Sequence, residues 1–291
     1  MTEPQTITGT IAVTGADGHV GRAVLRQLRA ARAHTVALPH FPAGLPAALI
    51  IPGPLHAAPA QAALESADVV IHLAGALRPV GDNSYEEAIL ETAEAVAVAV
   101  ARGRARRVIA LSCVGADEES TNRYLRYKAA AERALTATHK DVIVIRSTYI
   151  IGRPEDPGQP AVALLARPGR NADVPGDGCQ TVAPVFVDDV ASALVAAVTR
   201  GTYGTYEMAG PDRMSLDDLV RLLHRGADVT IRHVPAWMAR LVSTVLPALP
   251  GPMVDVLLRD NIGDPTRACS TFDLRLTSLR EVWSPIATQA V

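Results

Sequence analysis

The fold is decided by the stretch from Thr10 to Leu28, which reads TIAVTGADGHVGRAVLRQL. Its first four residues predict a short buried strand, and the amphipathic run that starts at Val20 predicts a helix. Between strand and helix lie three glycines at G-x-x-G-x-x-G spacing, namely Gly15, Gly18 and Gly21. The stretch therefore predicts a strand, a tight glycine turn and a helix.

A turn of this kind can cradle the phosphates of a nucleotide. Gly15 suits a turn that has no room for a side chain, Gly18 lets the backbone approach a pyrophosphate, and Gly21 lets the helix pack closely on the strand. Free amides at the helix start then face the phosphates. We predict a nucleotide-cofactor site here. A plain strand-to-helix turn is the alternative, because glycine-rich turns are common.

The composition is typical of a globular protein with a helix-flanked sheet. Of 291 residues 48% are apolar and only 4% are aromatic, so the core must consist mainly of Ala, Val, Leu and Ile. A net charge of -2 and the lack of a long basic tract give no reason to expect nucleic acid. Cys113, Cys179 and Cys269 have no metal-like spacing. We expect no metal, no membrane span and a reducing, cytoplasmic setting.

Strands alternate with helices along the first half of the chain, which predicts parallel crossovers and a doubly wound, Rossmann-type α/β sheet. From Gly152 onward the pattern loosens and prolines and glycines cluster. We predict a dinucleotide-binding domain over residues 1–151 and a smaller substrate-binding lobe over residues 152–291, integrated into one unit. Either a monomer or a homodimer is compatible with this organisation.

One later run, Pro235–Leu246, carries apolar residues at helical spacing and is followed by Pro247. It predicts a helix that belongs to the core or lines a pocket. Docking on a bulky apolar substrate, a partner or a membrane surface is the alternative. His72, at the end of a buried strand, is predicted to be a hydrogen-bonded structural histidine rather than a ligand.

Candidate catalytic residues follow the predicted fifth strand. Ser112 comes directly after that strand, Arg107–Leu111, and Tyr124 and Lys128 lie one turn apart on one face of the next helix. The lysine could bind the cofactor ribose and hold positive charge near the phenol, which favours the phenolate. The serine could orient a substrate carbonyl, the tyrosine protonate it and a nicotinamide supply hydride. The alternative for Tyr124 is an ordinary, partly exposed helical tyrosine; Tyr127 points to another face.

Four features together resemble the short-chain dehydrogenase/reductase superfamily: Thr14–Gly21, His72–Gly75, the Tyr124/Lys128 pair and Val185–Val190. More narrowly, the chain is similar to the extended and atypical branch, the NmrA-like and complex I accessory-subunit-like proteins, over roughly residues 10–223. The resemblance implies a Rossmann fold, a nicotinamide cofactor and a carbonyl or alcohol substrate. Some relatives only bind the cofactor and act as regulators or assembly subunits.

The chain departs from this family pattern at three places. Many relatives carry an asparagine in the helix before the fifth strand, whereas Glu86–Arg102 contains none. The catalytic serine position could align with Ser112 or with Cys113. Where relatives often hold adenine with an Asp, this chain has Pro52–Pro54, so adenine recognition must differ.

The end of the second strand decides between NAD and NADP. An acid that binds the ribose is expected there for NAD, yet Leu38–His40 contains none. His40 and Arg22 could accept a 2′-phosphate, so we favour NADP(H); otherwise Arg22 is solvated and His40 is a loop residue. The candidate cofactor-binding residues are Gly15, Asp17, Gly18, His19, Val20, Gly21, Arg22, His40, Ala74, Gly75, Lys128 and Ser147.

The sequence therefore predicts an NADPH-dependent ketoreductase acting on a medium-sized or bulky apolar small molecule, such as a polyketide or a quinone-like ketone. Tyr124 would donate the proton, Lys128 would assist it and bind ribose, and Ser112 would orient the carbonyl. In a variant of this mechanism solvent or a substrate hydroxyl replaces Tyr124. The alternative from another class is a non-catalytic NAD(P)-binding sensor or assembly factor of the NmrA-like type.

Overall fold

The computed structural model describes residues 7–41, 44–75, 84–158, 165–167, 169, 171–225, 228–243 and 250–284. Strands are numbered in chain order as β1 Thr10–Thr14, β2 His34–Leu38, β3 Leu49–Ile50, β4 Val69–His72, β5 Arg107–Cys113, β6 Asp141–Ser147, β7 Ile150–Arg153, β8 Asp156–Gly158, β9 Asn171–Pro175, β10 Thr181–Val182, β11 Val185–Phe186, β12 Gly204–Met208, β13 Met214–Ser215 and β14 Thr230–Val234.

The α-helices of the described part are α1 His19–Ala30, α2 Ala58–Glu65, α3 Thr92–Arg102, α4 Arg123–Thr136, α5 Val187–Ala196, α6 Leu216–Leu223, α7 Ala236–Ser243, α8 Gly251–Leu257, α9 Thr266–Phe272 and α10 Leu279–Val282. A π-helical turn, Glu86–Glu91, leads directly into α3. None of these helices combines the length and the apolar character needed to cross a membrane.

The central sheet has seven strands in the order β12-β6-β5-β4-β1-β2-β3. The pairs among β1 to β6 are parallel, with Ile11 opposite both Thr35 and Val69. Near-continuous apolar runs such as Val108–Ala110 are buried, as expected for parallel strands covered on both faces. Helix α1 packs against α5, and α3 packs against α2 and α4. The predicted Rossmann-type α/β fold is confirmed.

The chain divides into two compact units. The first contains Met1–Ser147, Val187–Glu207 and Pro265–Leu274, and the second contains Thr148–Phe186, Met208–Asp264 and Arg275–Val291. The sequence-based division into residues 1–151 and 152–291 differs from this arrangement, because two later segments return to the first unit. They supply the edge strand β12 and helix α5, which rests on α1.

The second unit is built from short paired strands. Strand β7 pairs with β8 antiparallel and with β11 parallel, β9 pairs with β14 parallel, and β10 pairs with β13 antiparallel. The indole of Trp283 donates a hydrogen bond to the Gly152 carbonyl at 2.9 Å, which ties α10 to β7. Helix α6 is capped by Ser215, whose hydroxyl accepts from the Asp218 amide.

Helix α7 forms within the predicted run Pro235–Leu246, and residues 244–246 lie outside the described residues. None of its side chains is buried, and Trp237 and Leu241 are 65% and 62% exposed. The prediction that this helix belongs to the core is therefore wrong. Helical spacing of apolar residues reveals an apolar face, but it does not reveal what covers that face.

Arg107 holds the start of β5 to two other parts of the first unit. Its guanidinium donates to the Asp141 carboxylate at 2.7 Å and to the carbonyls of Ala197, Arg200 and Gly201 at 2.7, 2.8 and 3.1 Å. The Arg107 side chain is only 14% exposed. Each acceptor would lose its partner, with little water to replace it, if the guanidinium were removed.

We expect Arg107→Met to lower the free energy of unfolding by about 3 kcal/mol, because it leaves a carboxylate and three carbonyls without their donor. Urea denaturation followed by circular dichroism measures the change. Arg133→Met is the control: its side chain is 67% exposed and pairs with Glu118 at the surface, so the change should stay within about 0.5 kcal/mol. Equal losses of unfolding free energy in the two variants would contradict this role of Arg107.

Candidate functional site

The carboxyl end of β1 is joined to that of β4 through Thr14. Its hydroxyl lies 2.9 Å from Nδ1 of His72 and accepts hydrogen bonds from the amides of Leu73 and Ala74, each at 3.2 Å. Burial, followed by the positive charge of Lys128, lowers the pKa of His72 to about 3. His72 is thus a neutral, hydrogen-bonded structural residue, as predicted.

The glycine turn fits against the chain that leaves β4. Gly15 has a φ of +61°, and a Cβ there would lie 2.7 Å from the Ala74 amide nitrogen. A Cβ on Gly21 would collide with the carbonyl oxygen of Gly15. Both positions therefore exclude a side chain for reasons internal to the protein.

Gly18 is different, because its φ of -70° suits any residue. Among the described residues beyond its two chain neighbours, an added Cβ would come within 4 Å of the Gly15 carbonyl oxygen alone, at 3.2 Å, and Gly18 is exposed. Gly18 provides no capping side chain for α1, whose first residues are His19 and Val20. The open cradle over the uncapped helix start fits the diphosphate of a dinucleotide.

Asp17, Arg22 and His40 lie together at one end of this turn. The Asp17 carboxylate accepts the backbone amides of His40 and Phe41, each at 3.1 Å. Arg22 donates through Nε to the Asp17 carbonyl at 3.0 Å. The His40 ring packs edge-on against Phe41, with centroids 4.4 Å apart.

Lys128 lies at the carboxyl ends of β4 and β5. Its Nζ donates to the Leu111 carbonyl at 2.8 Å and lies 3.9 Å from where a Cβ on Gly75 would be. Burial lowers the pKa of Lys128, opposed by the charges of Cys113 and Glu132. Its position beside Gly75, which has a φ of +143°, suits a residue that holds the ribose next to the nicotinamide.

Tyr124 is buried near the start of α4, which Asn122 caps by accepting the Tyr124 amide at 3.0 Å. Burial raises the pKa of Tyr124 well above its usual value, and the neighbouring Cys113 and Tyr85 raise it further. The rings of Tyr85 and Tyr124 are 6.1 Å apart. The expectation that Lys128 favours the phenolate is corrected, because burial dominates and the lysine donates to β5.

Cys113, and not Ser112, is the β5 side chain that acts on the pKa of Tyr124. Neighbouring residues of a strand face opposite sides, which places Ser112 away from the phenol it was expected to assist. The Ser112 hydroxyl is buried and has no hydrogen-bond partner among the described residues. The backbone carbonyl of Ser112 accepts a long hydrogen bond, 3.4 Å, from the Ser147 hydroxyl. The Ser147 side chain therefore links β6 to β5.

Tyr127 points elsewhere, as predicted. Its hydroxyl donates to Glu86 at 3.1 Å in an exposed position. Sequence reasoning missed Tyr85, because a single aromatic residue before a helix carries no signal; Cys113 was left as an open alternative to Ser112. Within the described ranges, no group of three or more His, Cys, Asp or Glu side chains could hold a metal ion.

A seven-stranded Rossmann-type sheet, a glycine turn under an uncapped helix and a Tyr-x-x-x-Lys pair define a dinucleotide-binding protein of the short-chain dehydrogenase/reductase type. Residues 11–209 match the model of the NAD dependent epimerase/dehydratase family. The match covers more than half of the chain, which therefore belongs to this family. The resemblance to the extended and atypical branch is confirmed.

The chain is also similar to NADH dehydrogenase (ubiquinone) 1 alpha subcomplex subunit 9, mitochondrial. It is 34% identical to the Arabidopsis thaliana protein over 168 residues, 56% of this chain and 42% of that protein. It is 28% identical to the Rattus norvegicus protein over 215 residues, 69% of this chain and 55% of that protein. The chain thus spans about half the length of these curated relatives.

Two solved structures share the fold across nearly the whole chain. MoeE5 in complex with UDP-glucose and NAD has a TM-score of 0.74 at 21% identity, and the match covers 94% of this chain and 96% of MoeE5. UDP-glucuronic acid 4-epimerase from Bacillus cereus in complex with NAD has a TM-score of 0.73 at 18% identity, with the same coverage. At these identities the likeness shows the fold.

The buried His72 predicts a pH dependence of stability. Its pKa is about 3 in the folded chain, against 6.5 for an imidazole in solution, so the unfolded chain binds an extra proton between these values. We expect the wild type to lose about 2 kcal/mol of unfolding free energy from pH 7 to pH 5 through this group.

Urea denaturation at the two pH values measures this loss, and His72→Asn should reduce it. His139→Asn, which removes an exposed imidazole at a positive φ that Asn tolerates, should retain the wild-type pH dependence. An unchanged slope in His72→Asn would contradict the assignment of a buried neutral imidazole.

Proposed function

We propose that this protein uses a bound nicotinamide dinucleotide to reduce a carbonyl group of a medium-sized or bulky apolar small molecule. The observation that carries the proposal is the buried Tyr124, kept protonated by its burial, in the same unit as Lys128 and the glycine turn. Such a site combines a proton donor with residues that fit a dinucleotide. The cofactor supplies the hydride when it is bound.

The cofactor contacts in this proposal come from two groups of residues. The amides at the start of α1, beyond Gly18, bind the diphosphate. Lys128 binds the nicotinamide ribose, for which its Nζ must exchange or share its hydrogen bond to Leu111. Gly75 leaves the space beside Nζ free of a side chain. Membership of an NAD-dependent family supports this arrangement.

Tyr124 gives its phenolic proton to the oxygen of the substrate as hydride reaches the carbon. The raised pKa keeps the phenol protonated near neutral pH, which is the form a donor needs. Cys113, rather than Ser112, positions the phenol and faces the carbonyl. A thiol is a weaker donor than a hydroxyl, so it stabilises the developing negative charge on oxygen less well.

The substrate class rests on the apolar composition of the second lobe and includes polyketides and quinone-like ketones. Oxidation of the reduced dinucleotide, followed by absorbance at 340 nm, tests it against aromatic ketones and quinones. UDP-glucose, the ligand of one similar structure, is tested with the oxidised dinucleotide, because it has alcohols to oxidise and no ketone to reduce. Turnover of UDP-glucose alone would contradict the apolar class. A cytoplasmic setting is part of the proposal, supported by Cys113, Cys179 and Cys269, which form no disulfide among the described residues.

A second candidate function is that of a non-catalytic dinucleotide sensor or assembly subunit. Cys113 favours it, because a thiol on β5 neighbours Tyr124 where a serine hydroxyl was expected. The similar NADH dehydrogenase subunits also favour it by name. Measurable dinucleotide binding without turnover of any compound in the panel would support this second candidate over the reductase.

We expect Tyr124→Phe to lower kcat at least 100-fold on any reduced substrate, because it removes the general acid and keeps the buried ring. Dinucleotide affinity should stay within twofold, since the phenol contacts Cys113 and not the phosphate loop. Tyr127→Phe is the matched control on the same helix and should turn over at the wild-type rate. Turnover of Tyr124→Phe near wild type would leave protonation to solvent or substrate.

Cys113→Ser should raise kcat several-fold, because a hydroxyl donates a stronger hydrogen bond to the carbonyl oxygen than a thiol does. Ser112→Ala should leave kcat unchanged, since its hydroxyl lies on the other face of β5. Steady-state kinetics of both variants measure the effects. If kcat does not rise in Cys113→Ser and falls in Ser112→Ala, then Ser112, and not Cys113, orients the carbonyl.

A further inference from the structure

The Asp17 side chain joins the glycine turn to the loop that follows β2. Oδ1 accepts the His40 amide and Oδ2 accepts the Phe41 amide, both at 3.1 Å. In dinucleotide-binding folds an acid about 20 residues beyond the glycine motif, near the end of the second strand, contacts the adenosine ribose. Here that region has no acid of its own, and Asp17 brings a carboxylate to it from the turn.

This carboxylate changes what the loop can bind. The two amides that it accepts are donors which a 2′-phosphate would need, and they are already used. The carboxylate also places a negative charge beside a group that carries up to two further negative charges. A free 2′-hydroxyl meets neither obstacle, because it is neutral and can itself donate to a carboxylate oxygen.

Two nearby groups act in the opposite direction. The Arg22 guanidinium is exposed, but its Nε is committed to the Asp17 carbonyl at 3.0 Å. The His40 ring lies edge-on against Phe41, and its backbone amide is held by Asp17. The Asp17 carboxylate is held in place by two hydrogen bonds. The remaining nitrogens of Arg22 belong to an exposed side chain, so the positive charge is less well fixed than the negative charge.

We infer that Asp17 makes the site select NAD(H) over NADP(H), in place of the NADP(H) preference expected from the end of β2. This inference rests on the proposed function, since it concerns the same dinucleotide site. The NADP(H) preference is predicted from the lack of an acid at the end of the second strand. An acid supplied by the glycine turn lies outside that stretch. Asp17 is therefore the residue that sets cofactor specificity.

The test is binding of NADH and NADPH to the full-length wild-type chain by isothermal titration calorimetry. One unfavourable contact between like charges near the protein surface corresponds to a preference of about tenfold for NADH. Asp17→Asn keeps the shape of the side chain and removes its charge. It should bring the two dissociation constants to within about threefold, mainly through tighter NADPH binding.

Glu118→Gln is the charge-matched control, because it removes one negative charge from the surface pair with Arg133. It should keep the wild-type preference for NADH. An NADPH affinity equal to or above that for NADH in the wild type would overturn the inference, even if no variant folds. So would an unchanged preference in Asp17→Asn, or the same collapse in Glu118→Gln.

Failure of the wild type to bind either dinucleotide would overturn the proposed function and this inference together. Binding of NADPH in preference to NADH would overturn only the inference. The two failures are therefore distinguishable in one titration series.

Discussion

The site depends on the close approach of two backbones, that of Gly15 and that of the chain leaving β4. A Cβ on Gly15 would lie 2.8 Å from the Leu73 carbonyl carbon, so no side chain fits. The hydroxyl of Thr14 stabilises the same junction, because it accepts hydrogen bonds from the amides of Leu73 and Ala74, the first two residues after β4. This junction sets where Gly75 emerges, and Gly75 in turn leaves room for Lys128. The contact between Gly15 and the chain leaving β4 thus positions both the candidate phosphate-binding turn and Lys128.

Most of the first unit could be predicted from the sequence, because its signals are local. Alternating apolar strands and amphipathic helices identified β1 to β6 and the helices between them. The return of Val187–Glu207 and Pro265–Leu274 to this unit could not be predicted, since it depends on pairing across more than 50 residues. The exposure of α7 could not be predicted for the same reason. A pattern of apolar residues does not specify which part of the protein, if any, packs against it.

The site shows the same division between local and tertiary information. Helical spacing correctly placed Tyr124 and Lys128 on one helix and turned Tyr127 away. The choice between Ser112 and Cys113 needed the register of β5 against α4, which no local pattern gives. The Tyr124 pKa needed the burial of the ring, and here the tertiary effect reverses the expectation that a nearby lysine creates.

That reversal also bears on how Tyr124 could act in the proposed reaction. A phenol held protonated by burial is in the form that a proton donor needs, but its raised pKa makes it a weak acid. Taking a proton from an alcohol would require the phenolate, which burial disfavours and which Lys128, bonded to Leu111, does not stabilise in the free chain. The same ring environment opposes the phenolate that remains once the proton is given, so burial makes Tyr124 a weaker acid than a free tyrosine. Proton donation in the proposed reaction therefore depends on a fall in the pKa of Tyr124 when dinucleotide and substrate bind, and Lys128, once it leaves the Leu111 carbonyl for the ribose, is the charge that could lower it.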